Sequence, residues 1–510
     1  MMKRRHFLTG ATALAAIGAA GIVLRPSLPP AAALAADRAP LRMPALIDTT
    51  QTGRFEVVAQ TGQTDFGGGL SAQTIGFNQS YLGPAVRMKK GPLEARVGNT
   101  LPIPVSAHWH GLLVPGEHDG GPHLPVEPGG EWVPDMEIAQ PPCTAFFHTH
   151  IHGRTARDVY AGLAGAIHVT DGLDDERGLP STYGVDDLTL LLQDRRFTED
   201  GELAYASSMM DIMHGMTGDT MLINGQLDPV AVVPKSIVRL RLINASNARI
   251  YSLFCDDGRS MHLVATDGGY LPAPVALETL RLSPGERAEI LVDFSDGRAM
   301  TLASDGDPNS GMGGMMGRAL GMVDRVTGLR QFPVLPFTVD ERLEGSIKRL
   351  PDNLGGTRPD HDPAEIAATR RFSLDMGMGG GMGGGMGGGM GGRGMGGGGM
   401  MGGFSINGRP FEMGVINEEV ERGTRERWIV TTNMLTHPFH VHGVSFQVVS
   451  VNGREPGPED QGWKDTVLVD GETELLVRFD HPASRDTPFM YHCHILEHED
   501  AGMMGQFTVS

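Results

Sequence analysis

The chain has 510 residues, of which 40% are hydrophobic and 20% charged, a composition typical of folded globular proteins. Its length predicts several domains of roughly 100–200 residues each and excludes a single small module. The formal net charge of −19, with no stripe of Lys or Arg, excludes nucleic-acid binding. Three cysteines are too few for a disulfide framework or for a CxxC-based zinc or iron–sulfur site.

The first 35 residues have the composition of an export signal. Basic residues at positions 3–5 precede an apolar run that reaches Leu24, and residues 33–35 have the small-x-small form of a signal-peptidase site. The run is shorter than the ~20 residues that cross a bilayer, which argues against a membrane anchor. The segment resembles a twin-arginine signal and predicts a periplasmic protein, with no membrane span in the mature chain.

The rest of the chain has the pattern of a β protein. Short runs of alternating apolar and polar residues are bounded by Gly, Pro, Asn and Asp. A turn that contains Asn78, Asn224 or Asn407 is followed each time by such a run. Three copies at intervals near domain size predict three similar β domains, over residues 45–172, 185–340 and 370–510.

Residues 376–403 form an insert that consists almost wholly of Gly and Met. Glycine costs a helix interior about 1 kcal/mol per residue relative to alanine, so a stable helix is excluded. A flexible linker is one interpretation. A linker has no need of methionine, however, and thioethers are soft ligands that select Cu(I), so copper handling is favoured.

Ten of the nineteen histidines lie in four compact groups, which contain four His-x-His pairs. Residues i and i+2 of a strand project from the same face, so each pair predicts a clamp of two imidazoles. Eight imidazoles are too many for one mononuclear site and predict a multinuclear metal cluster if they converge. The groups are His108 and His110; His148 and His150; His437, His440 and His442; His492, His494 and His498.

Cys493 lies between His492 and His494. In an extended chain its sulfur points away from both imidazoles and therefore belongs to a different metal site. Together with His498, Met503 and the upstream His437 it gives two imidazoles, a thiolate and a weak axial thioether, the set that is typical of blue-copper electron-transfer sites. The peptide on either side of Cys493 would then connect the two sites covalently.

The motifs HWHG, HTHIHG, HPFHVHG and HCHILEHEDAGMM, in this order, resemble the four copper motifs of the three-domain multicopper oxidases. The stretches GLLVPGEHDGG at 111–121 and GWKDTV at 462–467 are similar to those of bacterial periplasmic cuprous oxidases with laccase activity. The resemblance covers essentially the whole mature chain. It implies an all-β fold of three consecutive cupredoxin-like Greek-key β-sandwich or barrel domains.

The resemblance also implies four copper ions and their ligands. The type 1 copper would take His437, Cys493, His498 and Met503, and the type 2 copper would take His108 and His440. One type 3 copper would be held by His110, His148 and His494, and the other by His150, His442 and His492. Asp119 and Glu499 match family acids that deliver protons to oxygen at the cluster. His152 is expected to play a supporting role, since the eight cluster imidazoles are already assigned.

Two features of the sequence stay open. Relatives with a well-defined substrate copper site carry Asp and Met where this chain has Asn433 and Leu435, and the adjacent Met434 would face the other way in a strand. A labile Cu(I) site is therefore in doubt. Cys143 and Cys255 could form a disulfide between domains 1 and 2, or they could be two buried thiols.

The sequence thus predicts a monomeric, periplasmic copper oxidase that couples four one-electron oxidations to the reduction of O2 to two waters. Cu(I) is the favoured donor, phenols and similar small organic reductants are an alternative class, and iron or manganese oxidation stays open. A non-enzymatic copper-sequestering resistance protein would not need the Cys-x4-His-x4-Met set that this chain carries. A structural member of the same fold, such as a cell-division scaffold, would have lost its ligands, whereas the ligand set here is complete.

Overall fold

The computed structural model describes residues 28–206, 208–307, 331–359, 365–377, 403–432 and 434–510. In these ranges six sheets follow one another in three pairs along the chain, joined by loops and short helices. This confirms the predicted all-β fold of three consecutive domains. Among the described helices, none combines the length and apolar character that crossing a membrane requires.

Some predictions fall on residues outside these ranges. They include most of the export signal, residues 1–27, most of the Gly/Met insert, residues 378–402, and Asn433. The end of the signal segment is described: helix α1 (Ala31–Ala35) lies just before the predicted cleavage point. We retain 45–172, 185–340 and 370–510 as the proposed domain limits.

Domain 1 pairs two sheets, with strand orders β1-β4-β9-β8 and β3-β2-β5-β6, and β7 also pairs with β5. Helix α2 (Thr155–Tyr160) connects β8 to β9. The apolar faces of the two sheets enclose a core that includes Trp109 and Cys143. The strands are β1 (Leu46–Asp48), β2 (Arg54–Gly67), β3 (Leu70–Phe77), β4 (Ala85–Lys89), β5 (Gly91–Asn99), β6 (Glu131–Trp132), β7 (Asp135–Ile138), β8 (Cys143–His148) and β9 (Ala164–Thr170).

Domain 2 follows helix α3 (Asp174–Arg177) and contains α4 (Met209–Met213). Its sheets have the orders β12-β11-β10-β14-β19-β16-β17 and β13-β21-β20-β15-β18. The strands are β10 (Asp187–Arg195), β11 (Thr220–Ile223), β12 (Gln226–Leu227), β13 (Ala231–Val233), β14 (Ile237–Asn244), β15 (Tyr251–Cys255), β16 (Met261–Thr266), β17 (Gly269–Leu277), β18 (Leu280–Leu282), β19 (Arg287–Asp293), β20 (Met300–Asp305) and β21 (Phe332–Val339).

Domain 3 has the sheet orders β23-β22-β25-β29-β27 and β24-β31-β30-β26-β28. Helix α5 (Leu496–Asp500) lies between its last two strands. The strands are β22 (Ile366–Met376), β23 (Phe404–Ile406), β24 (Glu418–Val420), β25 (Arg425–Thr432), β26 (His437–Val441), β27 (Phe446–Val451), β28 (Thr466–Val469), β29 (Glu472–Arg478), β30 (Phe489–Cys493) and β31 (Met504–Val509).

The threefold repeat has a common physical basis. Asn78, Asn224 and Asn407 all have a positive φ, between 52° and 61°, which asparagine tolerates better than most residues. The amide oxygen of each asparagine accepts from a backbone N–H of a neighbouring strand. Its amide nitrogen donates to the carbonyl of the residue two positions before that N–H donor. These partners are Val58 and Glu56, Leu191 and Thr189, and Ser373 and Arg371.

The two cysteines left open by the sequence are free thiols buried in different cores. Cys143 packs in the core of domain 1 and Cys255 in that of domain 2. Burial raises the pKa of each thiol to about 12, so both are protonated at neutral pH. The disulfide alternative is therefore wrong.

Candidate metal centre between domains 1 and 3

Four histidines of domain 1 and four of domain 3 meet in one buried site. The expectation that each His-x-His pair lies within a strand is wrong. Three pairs lie at strand ends, since β8 ends at His148, β26 at Val441 and β30 at Cys493, and the pair His108 and His110 lies outside the named strands, with one isolated bridge from His108 to His148. The pairs nevertheless stay together. The ring centroids within each pair lie between 4.9 and 5.9 Å apart.

Imidazoles from the two domains stack directly on one another. The rings of His108 and His442 have centroids 3.8 Å apart and planes inclined by 17°. Those of His110 and His440 are 3.6 Å apart and inclined by 11°. The site is thus formed only when domains 1 and 3 are packed together.

Ring nitrogens approach one another closely at the centre of the site. His492 Nε2 lies 3.3 Å from His150 Nε2 and 3.2 Å from His442 Nε2. Candidate ligand atoms lie within 4.8 Å of one another in three all-histidine groups, each buried. The groups are His108, His110 and His148; His108, His440 and His442; and His150, His442 and His492.

Most of these imidazoles contact a fixed acceptor through one ring nitrogen. An N–H that donates to a carbonyl or carboxylate leaves the other nitrogen as a lone-pair donor, and such contacts orient metal-bound histidines in proteins. Backbone carbonyls contact Nδ1 of His108, His148, His440 and His492 at 2.9–3.1 Å. Carboxylates contact Nε2 of His110 at 3.2 Å and Nδ1 of His442 at 2.7 Å.

Several of the remaining nitrogens are buried and have no hydrogen-bond partner within the described residues. They are Nε2 of His108, His148 and His440, Nδ1 of His110, and both ring nitrogens of His494. An unpartnered buried polar group costs about 1–3 kcal/mol, so these atoms indicate a ligand.

Burial favours the neutral form of seven of these rings. It lowers the pKa of His110, His148, His150, His440, His442, His492 and His494, and charge on neighbouring imidazoles would lower it further. Neutral imidazoles with free lone pairs are the form that binds transition metals, so this donor set fits copper.

A second group surrounds Cys493. Its Sγ lies 3.4 Å from His437 Nδ1 and 3.7 Å from His498 Nδ1, and these two nitrogens are 3.3 Å apart. Met503 is buried in the same core, and its backbone bonds to both Cys493 and His498. Burial lowers the pKa of His437 to about 4 and raises that of the Cys493 thiol, and a bound cation would favour the thiolate. These residues fit a blue-copper ion.

The two groups are connected through Cys493. Its sulfur belongs to the second group. The adjacent His492 is a candidate ligand in the cluster, and the ring of His494 lies 4.9 Å from that of His110. In addition, the Nδ1–H of His492 donates to the carbonyl of Cys493 at 3.1 Å. One covalent path and one hydrogen bond therefore run from the thiol to the imidazoles.

The outer nitrogens of the second group reach methionine carbonyls. His437 Nε2 donates to the carbonyl of Met434 at 3.0 Å, and His498 Nε2 donates to that of Met213 at 3.3 Å. Met213 is the last residue of α4, so domain 2 contributes to this edge of the site.

The expectation that Met434 faces away was based on an extended strand. That basis is wrong, because residues 434–436 are not in a strand and Leu435 has a φ of +57°. A left-handed conformation is uncommon for a leucine, so the chain turns sharply before β26. The side chain of Met434 is half-buried against the core of domain 3.

Asp119 and Glu499 each contact imidazoles of the cluster. Asp119 Oδ2 lies 2.7 Å from His442 Nδ1 and 3.4 Å from His108 Nδ1. Glu499 Oε2 lies 3.2 Å from His492 Nδ1, and its Oε1 lies 3.5 Å from His150 Nδ1. Both carboxyl groups are fully buried, and burial raises the pKa of Glu499.

His152 lies against Phe411, with the ring centroids 4.9 Å apart in an edge-to-face arrangement. It belongs to none of the groups of candidate metal ligands in the described chain. A supporting role for His152 remains a proposal.

Sequence reasoning missed the residues that hold His110 and His440. Asp465 Oδ1 lies 3.2 Å from His110 Nε2, and the Asp465 carbonyl accepts from His440 Nδ1 at 2.9 Å. The Thr466 hydroxyl lies 3.1 Å from both rings. The motif GWKDTV could have indicated them, because its two charged residues, Lys464 and Asp465, directly precede an apolar strand and are therefore expected to have a specific role.

Comparison with known proteins is consistent with this geometry. Three multicopper oxidase family profiles match residues 58–174, 187–308 and 393–510. The chain belongs to the multicopper oxidase family, as the motifs predicted. Membership implies copper binding, and the histidine groups are where the structure provides for it.

Curated relatives with similar sequences carry a different kind of name. The cell division protein FtsP of Salmonella typhimurium is 35% identical over 497 residues, which cover 96% of this chain and 97% of that protein. FtsP of Escherichia coli is 35% identical over 500 residues, with 97% and 98% covered.

Two solved structures of similar fold are of oxidases. A laccase-like multicopper oxidase, CueO from Ochrobactrum sp., has a TM-score of 0.81 and 40% identity, over 92% of this chain and all of that one. Its description includes oxidase activity towards lignin model compounds. A laccase from Pediococcus acidilactici has a TM-score of 0.77 and 31% identity, with 95% of each chain covered.

Proposed function

We propose that this protein is a four-copper oxidase that couples four one-electron oxidations to the reduction of O2 to two waters. The supporting observation is that eight buried imidazoles converge beside a group of two imidazoles and a thiol. The proposed type 1 ligands are His437, Cys493, His498 and Met503. The proposed cluster ligands are His108 and His440 for type 2, and His110, His148 and His494 with His150, His442 and His492 for type 3.

Copper ions held by these residues would supply one-electron redox chemistry and O2 binding. Electron entry and O2 reduction are kept apart, because Cys493 faces the proposed type 1 site whereas His492 and His494 face the histidine cluster. The peptide and the His492–Cys493 hydrogen bond provide the short route between them. Burial of both sites excludes bulk water.

Asp119 and Glu499 are the proposed proton donors. Each O2 takes up four electrons and four protons to give two waters, so acids are needed next to the cluster. Glu499 contacts His150 and His492, while Asp119 contacts His108 and His442. The carboxyl groups thus approach the cluster through different histidines.

Cu(I) is the proposed favoured donor, with phenols and similar small organic reductants as a second class. The two described ends of the Gly/Met insert meet beside β22 and β23, where the Gly377 N–H donates to the Gly403 carbonyl. The ring of Phe404, the next residue, stacks on His498 with centroids 4.5 Å apart. The Gly/Met insert is therefore attached directly beside a proposed type 1 ligand, where thioethers could deliver Cu(I).

The proposed location is the periplasm, reached by the twin-arginine route, and the proposed role is copper detoxification by a monomer. The signal-like residues 1–35 and the acidic composition support export as a folded protein.

A role in cell division is the second candidate, and the FtsP relatives favour it. A scaffold would need its surface but not its metal sites. The complete set of buried imidazoles, several with unpartnered ring nitrogens, instead supports the oxidase. A strain in which the Cys493→Ser variant replaces the wild-type protein separates the two candidates. If the protein is a scaffold, this variant would still support cell division.

The oxidase itself is tested with purified, copper-loaded protein. We expect about four copper ions per chain in more than one spectroscopic class, and one O2 consumed per four Cu(I) oxidised. Bound copper without O2 consumption from Cu(I), phenols, Fe(II) or Mn(II) would indicate the sequestering protein instead.

A further inference from the structure

Domain 2 supplies none of the proposed copper ligands, yet it places a cation next to the cluster. Arg287, the first residue of β19, is fully buried. Its guanidinium makes a bidentate ion pair with Asp465 of domain 3, with Nη1–Oδ1 at 2.6 Å and Nη2–Oδ2 at 2.5 Å. Bidentate pairs of this kind fix geometry as well as charge.

The rest of the guanidinium is held just as firmly. Its Nε donates to the carbonyl of Thr144 in domain 1 at 3.2 Å, and Nη1 also donates to the carbonyl of Gly285 at 2.9 Å. Arg287 therefore contacts all three domains. A lysine has a single ammonium group and cannot reproduce this set of contacts.

The HWHG motif makes room for this arginine. A Cβ added to Gly111 would lie 2.4 Å from Nη2 of Arg287 and 3.0 Å from Oδ2 of Asp465. Gly111 also has a φ of +93°, which side chains rarely adopt. Only a residue without a side chain at position 111 leaves space for the ion pair between Arg287 and Asp465.

Asp465, which Arg287 holds in place, contacts the stacked rings of His110 and His440. Its Oδ1 contacts His110 Nε2 at 3.2 Å and His440 Nδ1 at 3.5 Å. Arg287 therefore determines where Asp465 can lie, whose Oδ1 contacts His110 and whose backbone carbonyl accepts from His440 Nδ1 at 2.9 Å.

On this basis, which rests on the proposed function, we infer that Arg287 is a positioning residue of the copper cluster. Acting through Asp465, it sets the ring orientation of His110 and His440, proposed ligands from different domains. Domain 2 thereby controls how well copper binds at a site to which it contributes no ligand.

A second buried ion pair provides the matched control. Arg241 is bidentate to Asp187, at 2.7 and 3.0 Å, and it also contacts Thr144 of domain 1. Neither partner contacts an imidazole of the cluster. Loss of a buried ion pair destabilises the fold in both cases, whereas only Arg287 is connected to the proposed ligands.

The test compares Arg287→Lys with Arg241→Lys in full-length, copper-loaded protein. We measure bound copper at defined free copper, the type 2 electron paramagnetic resonance signal, the blue absorption band and the melting temperature. We expect Arg287→Lys to keep the blue band but to bind cluster copper about 10–100-fold more weakly, with altered type 2 parameters. Arg241→Lys should lower only the melting temperature.

The inference is overturned if Arg287→Lys keeps native copper affinity and type 2 parameters, or if Arg241→Lys changes them equally. Arg287→Gln replaces Arg287→Lys in these comparisons if the lysine variant does not fold, and Asp465→Asn provides a second route. It should weaken cluster copper by a similar factor, and adding Arg287→Lys should cause little further loss, because the two residues act in series. Failure of the proposed function would look different, since the wild-type protein would then either lack cluster copper or bind it without consuming O2.

Discussion

His110 of domain 1 and His440 of domain 3 stack with ring centroids 3.6 Å apart and planes inclined by only 11°. The two residues are far apart in sequence, and their domains meet at this contact. The candidate metal centre therefore lies in the interface between domains 1 and 3. Metal binding and the packing of these domains should stabilise each other.

Removal of copper should selectively destabilise this interface between domains 1 and 3. A ligand that binds only the folded state stabilises it by about 4 kcal/mol at 1,000 times its dissociation constant. We expect chelation to lower the melting temperature and to increase amide hydrogen exchange around residues 105–111, 147–151, 437–443 and 490–499. Strands β14 and β19 of domain 2 should keep their protection. Equal loss of protection in all three domains would contradict this prediction.

Replacement of Cys493 by serine should abolish the intense blue thiolate-to-copper absorption and remove about one copper ion per chain. The cluster ions should stay, because their proposed ligands are all histidines. Cys255→Ser is the matched control, since it removes a buried thiol from the core of domain 2. Persistence of the blue band in Cys493→Ser would show that the type 1 assignment is wrong.

Asp119→Asn and Glu499→Gln should slow the reaction with O2 but not the entry of electrons. A positioned acid contributes about 10²–10⁴-fold to a proton-transfer step, so reoxidation of the fully reduced enzyme should slow within that range. Anaerobic reduction of the type 1 copper should proceed at the normal rate. Both half-reactions are measured by stopped flow.

Glu497→Gln is the control for this pair. Glu497 is a buried carboxylate of the same helix, but it contacts Asn247 and the Met216 backbone rather than cluster imidazoles. It should leave reoxidation unchanged. Normal reoxidation in Asp119→Asn and Glu499→Gln would leave both acids without a role in proton delivery, and slowed type 1 reduction would place Glu499 on the electron-entry side.

Replacement of residues 378–402 by Asn-Gly should separate the two classes of donor. Met376 pairs with Phe404 across β22 and β23, so a two-residue turn can connect these strands without disturbing them. We expect slower Cu(I) oxidation and unchanged or faster oxidation of bulky phenols, with native copper content and melting temperature. Equal loss of both activities would assign the insert a role in folding instead.

The sequence by itself determined the chemistry of the sites. Ligand identity and short spacing are local properties, so four His-x-His pairs and Cys-x4-His-x4-Met can be read without a fold. The same holds for the turns at Asn78, Asn224 and Asn407, whose residue type tolerates the positive φ that the structure has there. Strand alternation likewise placed the Cys493 sulfur apart from His492 and His494.

Only the tertiary structure decided which groups meet. The contact between His110 and Asp465 spans 355 positions, and that between Arg287 and Asp465 spans 178. No periodicity encodes such pairs, because they depend on how separate sheets pack. The same reason explains why the sequence did not reveal the carbonyl of Met213 at His498, or the sharp turn at Leu435, where packing against domain 3 accompanies a conformation that leucine rarely adopts.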